Sequence, residues 1–198
     1  MSPPVILASK SSARRAVLQG AGVTFETAVS GVDEEALKTA MLAEGASPRQ
    51  IAEALAEAKA LRISADRPGL VIGADQTLEL EGGLYDKVET LEAARERLRQ
   101  LRGKPHLLHS AVVVAQGEAT LWRETATATL FMREFSDAFL DDYLAREGQA
   151  ALGSVGCYRL EGLGAQLFSA IEGDYFAILG LPLLGLLDVL RSHQVLPP

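Results

Sequence analysis

The chain has 198 residues, of which 48% are hydrophobic and 23% are charged, a composition that fits one globular domain over residues 1–198. Its formal net charge of −7 argues against a general nucleic-acid binder, so an anionic small molecule would need a local basic cluster. The single cysteine cannot form an internal disulfide, and no apolar run reaches the length of a signal-peptide core or a membrane span. We therefore expect a cytoplasmic protein with neither nucleic acid nor membrane as a partner.

The first predicted element is a short buried strand, Val5–Ala8, because the run is apolar, contains β-branched residues and lacks a helical period. A serine-rich turn follows, and a helix is predicted to begin near Ser11 or Ser12. Free N–H groups at such a helix start, beside the paired Arg14 and Arg15, suit a phosphate group. An ordinary capped surface helix with solvated arginines is the alternative interpretation.

The remaining elements alternate between strand and helix patterns, with no linker or repeat between them. Apolar and β-branched runs predict strands over residues 24–30, 70–75, 107–115, 121–135 and 158–160. Cap residues and the apolar period predict helices over residues 47–63, 90–103, 136–147, 166–171 and 183–192. The two long strands around the turn at 116–118 form an antiparallel pair. The predicted fold class is α/β, with a mixed, twisted sheet and flanking helices.

Two carboxylates and a lysine are candidates for chemistry. Asp75 stands at the polar end of a predicted strand, where an α/β sheet commonly opens its ligand crevice. It could bind a divalent cation or accept a proton from water, or it could cap the following turn. Glu34 belongs to an acidic run and Lys59 to an alanine-rich helix, and both could instead be solvated surface residues.

Short motifs follow one another in order along nearly the whole chain. They are Ser9-Lys10-Ser11-Ser12-Ala13-Arg14-Arg15, Val32-Asp33-Glu34, Ala58-Lys59-Ala60, Gly73-Ala74-Asp75-Gln76, Asp86-Lys87, Leu101-Arg102-Gly103-Lys104, Glu161-Gly162, Ile171-Glu172-Gly173-Asp174-Tyr175 and Gly180-Leu181-Pro182-Leu183. Taken together, they resemble the motifs of the Maf family of nucleoside triphosphate pyrophosphatases. The chain departs from that pattern at Asp86 and Val88, where the family usually has glycine and proline.

The resemblance implies an elongated fold whose two lobes enclose a deep cleft. It also implies hydrolysis between the α and β phosphates of a nucleoside triphosphate, which yields a nucleoside monophosphate and pyrophosphate. In that pattern Asp75 is the proton acceptor and, together with Glu34, holds Mg²⁺ or Mn²⁺. The residues that the resemblance implies for substrate binding are Ser9, Ser11, Arg14, Arg15, Lys59 and Lys87.

Three positions are associated with base preference in the family, and here they hold Ala13, Gln76 and Glu161. The dTTP and UTP branch tends to have Arg, Thr and Gln there, and the 7-methyl-GTP branch Trp, Gln and Glu. A carboxylate would stabilise the positive charge of N7-methylated guanine, although Ala13 lacks an aromatic face for stacking. We therefore expect modified nucleotides such as 7-methyl-GTP as substrates. The alternatives are a dTTP/UTP pyrophosphatase, a non-specific phosphatase and a non-catalytic nucleotide-sensing regulator of cell division, and the assembly is open between monomer and homodimer.

Overall fold

The computed structural model describes residues 2–198 and contains a seven-stranded mixed sheet with helices packed against it. The strands are β1 Val5–Ala8, β2 Glu26–Thr27, β3 Leu70–Leu80, β4 Gly83–Tyr85, β5 Pro105–Gln116, β6 Ala119–Met132 and β7 Phe168–Glu172. The helices are α1 Ser12–Gly20, α2 Glu34–Ala43, α3 Pro48–Ser64, α4 Leu91–Leu101, α5 Asp137–Glu147, α6 Tyr175–Ile178 and α7 Leu183–Ser192. Two 3₁₀ helices span Gly148–Gly153 and Leu163–Leu167. The predicted α/β class and mixed sheet are confirmed.

The sheet runs in the order β2-β1-β3-β5-β6-β7, with β4 paired to β3 beside this path. The strands β2, β1 and β3 are parallel, whereas every pairing from β3 to β7 is antiparallel. The parallel partner β1 ends at Ala8, opposite Gly73, while β3 continues for seven more residues. A crevice therefore opens beyond the carboxyl end of β1, along the uncovered side of β3.

Local signals placed most helix starts correctly. Ser11, Ser47, Thr90 and Ser136 each cap the helix predicted to follow, and Ser47 forms a capping box with Gln50. The final helix spans the predicted residues, and the predicted pair β5 and β6 is joined at residues 117–118. The boundaries of these elements could be predicted from local sequence, because the cap or turn residue itself supplies the hydrogen bond or dihedral angle that marks the boundary.

The predicted end of the third strand at residue 75 is wrong, because β3 continues to Leu80. Each polar side chain in its second half finds a partner, so none of them has to end the strand. Asp75 accepts from Lys59, Gln76 donates to Ser110, and the Thr77 hydroxyl donates to the carbonyl of Pro48. The carboxylate therefore stands within β3, and the strand that ends beside it is β1.

Three further boundaries also differ from the sequence prediction. The strand predicted over residues 24–30 shortens to β2, Glu26–Thr27. Residues 158–160 do not form a strand, since Cys157 has a positive φ of 61° and the Ser154 hydroxyl bonds both backbone groups of Tyr158. The helix predicted over 166–171 is instead a 3₁₀ turn leading into β7, whose backbone pairs with β6. No helix within residues 2–198 has the length and apolar character needed to cross a membrane.

The helix α3 approaches β3 closely, and Gly73 makes this possible. A Cβ atom built on Gly73 would lie 2.6 Å from the backbone nitrogen of Ala60 and 2.8 Å from its Cβ. Ala52, Ala56 and Ala60 form a fully buried face of α3 against the sheet. Because small residues line both sides, the helix backbone lies almost on the strand, and this distance sets the position of Lys59 relative to Asp75.

We expect Gly73→Ala to lower the free energy of unfolding by about 1–3 kcal/mol, because the added methyl group must push α3 away from the strand. Gly20→Ala is the matched control, since a Cβ there meets no atom within 4 Å and alanine is the better helix former. Urea unfolding monitored by circular dichroism measures both variants. Equal stability of Gly73→Ala and wild type would contradict the close approach.

Candidate functional site

A cavity with a volume of about 1060 Å³ occupies the crevice beyond β1. Its walls come from the turn after β1, the start of α2, and the edge of β3 that β1 leaves unpaired. The loop after β4 and residues 153–161 and 178–180 complete them. Every site residue predicted from the sequence lines this cavity except Arg15. Motifs that are far apart in the sequence thus lie on the surface of one cavity.

The centre of the cavity is an ammonium group held by two carboxylates. The Lys59 Nζ atom lies 2.5 Å from Asp75 Oδ1 and 3.0 Å from Glu34 Oε2. Lys59 and Asp75 are buried, whereas Glu34 is about half exposed at the start of α2. Since α3, β3 and α2 each contribute one of these residues, the cluster depends on the packing of three elements. The surface role considered for Lys59 is excluded for this conformation, because its charge is buried and paired.

Arg14 is buried and is fixed by backbone carbonyls. Its Nε donates to Gly180 O at 2.8 Å, and its Nη1 donates to Ala74 O at 2.9 Å and to Ser9 Oγ at 3.2 Å. Burial lowers the pKa of this guanidinium, while the carboxylates of Asp75 and Glu34 act to raise it. Within residues 2–198 its Nη2 group has no hydrogen-bond partner, so both of its N–H groups are left for a ligand.

The two serines of the turn after β1 accept structural hydrogen bonds, and their hydroxyl protons are not used in them. Ser9 Oγ accepts from the backbone of Ser11 at 3.2 Å and from Arg14, while Ser11 Oγ accepts from the backbone of Arg14 at 3.3 Å. A hydroxyl offers one O–H donor besides its two acceptor positions. Both serines can therefore donate to an anion in the cavity without losing their structural hydrogen bonds.

Arg15 points away from this cavity. It is exposed and lines a separate, smaller cavity of about 220 Å³ together with Ser9, Lys10 and Val29. Adjacent residues on a helix differ by about 100° in direction, so the two arginines of the motif face different cavities in this conformation. The structure places Arg14 inside the large cavity and Arg15 beside it.

Lys87 lines the cavity from the loop between β4 and α4 and remains accessible to solvent. Loss of hydration lowers the pKa of its amine, and the positive charges of Arg14 and Lys59 lower it further, although Asp75 and Glu34 act in the opposite direction. A cation destabilised in this way gains most when an anion arrives between it and its positive neighbours.

Gln76 follows Asp75 on β3 and is oriented by carbonyl groups. Its Nε2 donates to Ser110 Oγ at 2.8 Å, to Ala177 O at 3.1 Å and to Ile178 O at 3.0 Å. Carbonyl oxygens only accept, so the amide nitrogen must face them and the amide oxygen is left for a ligand. Ser110 is fully buried and donates to Ala177 O at 2.6 Å. Sequence analysis missed Ser110, whose only signal is a hydroxyl within the apolar run of β5.

Glu161 is exposed and lines the cavity beside the turn formed by residues 153–160. No ion pair or side-chain hydrogen bond holds its carboxylate within the part of the chain described. The neighbouring Arg159 is instead paired with Glu147, at 2.9 Å. The negative charge of Glu161 is therefore available to a ligand in the cavity. Ala13 lines the same cavity and presents only a methyl group.

The donor set can be compared with what a divalent cation requires. Within residues 2–198 no group of three or more His, Cys, Asp or Glu side chains lies close enough to hold a metal ion by itself. Asp75 and Glu34 nevertheless converge on one ammonium group, so a cation between them is already favourable. Mg²⁺ commonly takes one or two carboxylates from the protein and completes its shell with water and phosphate oxygens. The two carboxylates fit such a cation.

These features define an α/β protein whose cavity combines carboxylates with cations suited to an anionic ligand. The family model described as Maf-like protein matches residues 4–193, and the chain belongs to this family. The chain is 60% identical to the nucleoside triphosphate pyrophosphatase of Caulobacter vibrioides, over 98% of this chain and 97% of that protein. It is 55% identical to the nucleoside triphosphate pyrophosphatase of Granulibacter bethesdensis, over 97% and 98%. It is 47% identical to the 7-methyl-GTP pyrophosphatase of Brucella abortus, over 98% of both chains.

The two arginines should differ sharply in their effect on stability. We expect Arg14→Ala to lower the free energy of unfolding by roughly 2–4 kcal/mol, because it leaves the buried carbonyls of Gly180 and Ala74 without their donor. Arg15→Ala should stay within about 0.5 kcal/mol of wild type, since Arg15 is exposed. Urea unfolding of both variants measures this difference. Equal losses would contradict the separate placement of the two side chains.

Proposed function

We propose that this chain is a nucleoside triphosphate pyrophosphatase that cleaves between the α and β phosphates and releases pyrophosphate. The observation that carries the proposal is the cluster of Lys59, Asp75 and Glu34, which stands beside the buried Arg14 in one large cavity. The relatives that match over their full length are named as pyrophosphatases of nucleoside triphosphates, which supports the same activity. The substrate is a nucleotide of the cytoplasmic pool, where we place the enzyme.

Asp75 prepares the attacking water. Its carboxylate is buried within β3, and its known partner is Lys59, so one oxygen remains to accept a proton. The water oxygen forms a bond to the α-phosphorus and its proton passes to Asp75. The bond between the α-phosphorus and the bridging oxygen breaks, and its electron pair leaves with pyrophosphate.

The cations stabilise the charge that develops on the phosphates. Arg14 offers its free Nη2 group, and Ser9 and Ser11 offer their hydroxyl protons. Lys59 can exchange a carboxylate partner for a phosphate oxygen, and Lys87 approaches from the loop after β4. Several donors from separate elements fix a triphosphate along its length, and this positioning lowers the barrier for one bond.

Asp75 and Glu34 would hold a divalent cation, Mg²⁺ or Mn²⁺, when substrate is bound. Such an ion supplies Lewis-acid polarisation of phosphate oxygens and neutralises part of their charge. The chain's contribution is the pair of carboxylates, which Lys59 holds close together.

The part of the cavity lined by Gln76 and Glu161, here called the base side, favours a ligand that donates protons or carries positive charge. The amide nitrogen of Gln76 is committed to carbonyl groups, so the side chain presents its oxygen. The carboxylate of Glu161 is likewise only an acceptor when ionised. We propose 7-methyl-GTP or a related cationic purine nucleotide as the preferred substrate. The alternative within the family, dTTP or UTP, offers one ring N–H and no positive charge.

The product and the Asp75→Asn variant together test the activity. With Mg²⁺ and a nucleoside triphosphate, wild type should release intact pyrophosphate and a nucleoside monophosphate. Asp75→Asn should fold but lose about 10²–10⁴-fold in kcat, because the amide cannot accept the proton. Ion chromatography of the products and a thermal midpoint of the variant provide the measurements. Release of orthophosphate with a diphosphate left behind, or near-wild-type turnover by Asp75→Asn, would contradict the proposal.

Glu161→Gln tests the base assignment. A charge-assisted contact contributes about 1.5–3 kcal/mol, so the substitution should reduce the preference for 7-methyl-GTP over GTP by on the order of 10–100-fold in kcat/KM. Glu118→Gln is the matched control, because Glu118 is an exposed residue of the β5–β6 turn outside the cavity. Steady-state kinetics with 7-methyl-GTP, GTP, dTTP and UTP supply the data. A wild-type preference for dTTP or UTP would overturn the base assignment and leave the pyrophosphatase activity intact.

A further inference from the structure

The helix α2 forms one wall of the cavity and contributes no residue to the hydrophobic core. It contains Glu34, yet none of its residues is buried. Gly31 and Gly45 flank it with φ values of 66° and 79°, and a Cβ on either would meet no atom within 4 Å. Elements with few buried contacts open locally at low free energy. The position of Glu34 therefore depends on whatever polar contacts fasten α2 to the rest of the cavity.

One of these contacts is an ion pair between α2 and the loop that carries Lys87. Lys38 Nζ lies 2.7 Å from Asp86 Oδ1 and 2.8 Å from Glu35 Oε2. The Lys38 side chain is only 13% exposed, whereas that of Asp86 is 58% exposed at the solvent edge. Burial acts to lower the pKa of Lys38, but the hydrogen bonds to Asp86 and Glu35 outweigh it and raise the pKa, so the ammonium is charged. Lys38, Glu35 and Asp86 all line the cavity.

The loop is anchored on its other side. Arg97 donates to the backbone carbonyl of Asp86 at 2.9 Å and to that of Val155 at 2.7 Å, and its guanidinium lies over the ring of Tyr85. The loop is thereby tied to α4 and to the turn that forms the base side of the cavity. Lys38 adds a tie between this anchored loop and α2, which also contacts α3, in part through the ion pair of Glu34 with Lys59.

We propose that Lys38 and Asp86 are a positioning pair that fastens α2 to the loop after β4, and so sets Glu34 and Lys87 for the phosphates of the substrate. The inference rests on the proposed pyrophosphatase function. Asp86 touches no substrate group in this proposal and acts through its neighbour. When the pair is broken, α2 is ordered in only a fraction of the free protein. The apparent affinity for substrate then falls in proportion to that fraction.

The direction of the effect separates this proposal from simple electrostatics. Asp86→Asn removes a negative charge from the edge of a cavity that binds a polyanion, and Coulomb attraction alone predicts a lower KM. The positioning pair predicts the opposite. We expect KM to rise by about 3–10-fold in Asp86→Asn, while kcat changes less than about twofold, since the ordered complex is the same once formed.

A double-mutant cycle with Lys38→Met completes the kinetic test. Lys38→Met should raise KM by a similar factor, and the double variant should be no worse than either single variant. The control is Asp188→Asn, which breaks an exposed ion pair to Arg191 of 2.6 Å on α7, outside the cavity, and should leave both constants unchanged. A lower or unchanged KM in Asp86→Asn would overturn the proposal. A much larger rise in KM for Lys38→Met, with additive effects in the double variant, would also overturn it, because Lys38 would then bind phosphate directly.

Hydrogen exchange of the protein without nucleotide tests the pair independently of turnover. Amides of residues 34–43 should exchange several-fold faster in Asp86→Asn and Lys38→Met than in wild type, and at the wild-type rate in Asp188→Asn. Unchanged exchange in α2 would overturn the proposal even if KM rose. If wild type released no pyrophosphate, the proposed function would fail, while the exchange experiment would still decide whether the pair holds α2.

Discussion

The buried ion pair of Lys59 with Asp75 is the interaction on which the site depends. A buried charge without a partner is strongly destabilising, so Asp75 requires Lys59, whose own charge is shared with Glu34. The pair also requires that α3 lie almost on β3, which the small side of the strand at Gly73 permits. The geometry of the candidate site and the packing of the helix are therefore one constraint: a change that moves the helix moves the ammonium away from the carboxylate.

An acidic protein can hold a polyanion because the charges in its cavity are arranged locally. The inner wall balances two cations, Lys59 and Arg14, against two carboxylates, Asp75 and Glu34. Lys87 stands near this group with a lowered pKa, since it loses part of its hydration and is repelled by Arg14 and Lys59. A triphosphate relieves that repulsion, so its binding stabilises positive charge that the free protein holds at a cost. The net charge of −7 carried by the whole chain acts mainly at longer range, where salt screens it.

The parts of the structure that sequence predicted are those whose signals are local. Caps at Ser47 and Thr90 lie next to the backbone groups that they satisfy, and so they mark helix starts without tertiary information. The course of β3 past Asp75 depends on partners far along the chain, such as Ser110 for Gln76, and no local pattern reveals them. The strand β7 exists because β6 offers an edge, although its own residues suggested a helix.

The candidate site shows the same division. Motif resemblance named Arg14 and Arg15 together, yet only the helix geometry separates a buried guanidinium from an exposed one. The contact of Lys38 with Asp86 spans 48 positions, and neither residue carries a pattern that points to the other. Residue types and their order identified the chemistry, whereas the positioning contacts became visible only in the folded chain.

The phosphate side and the base side of the cavity share one short segment, the end of α6 with the turn that follows. The last carbonyls of a helix have no partner within it, and here side chains from other elements satisfy them. Gly180 O accepts from Arg14, while Ala177 O and Ile178 O accept from Gln76. Residues 177–180 therefore hold both Gln76 and Arg14. With Gln76 at the base and Arg14 at the phosphates, as proposed, this shared segment links recognition of the base to alignment of the phosphates, and a poorly fitting base should be rejected in kcat as well as in KM.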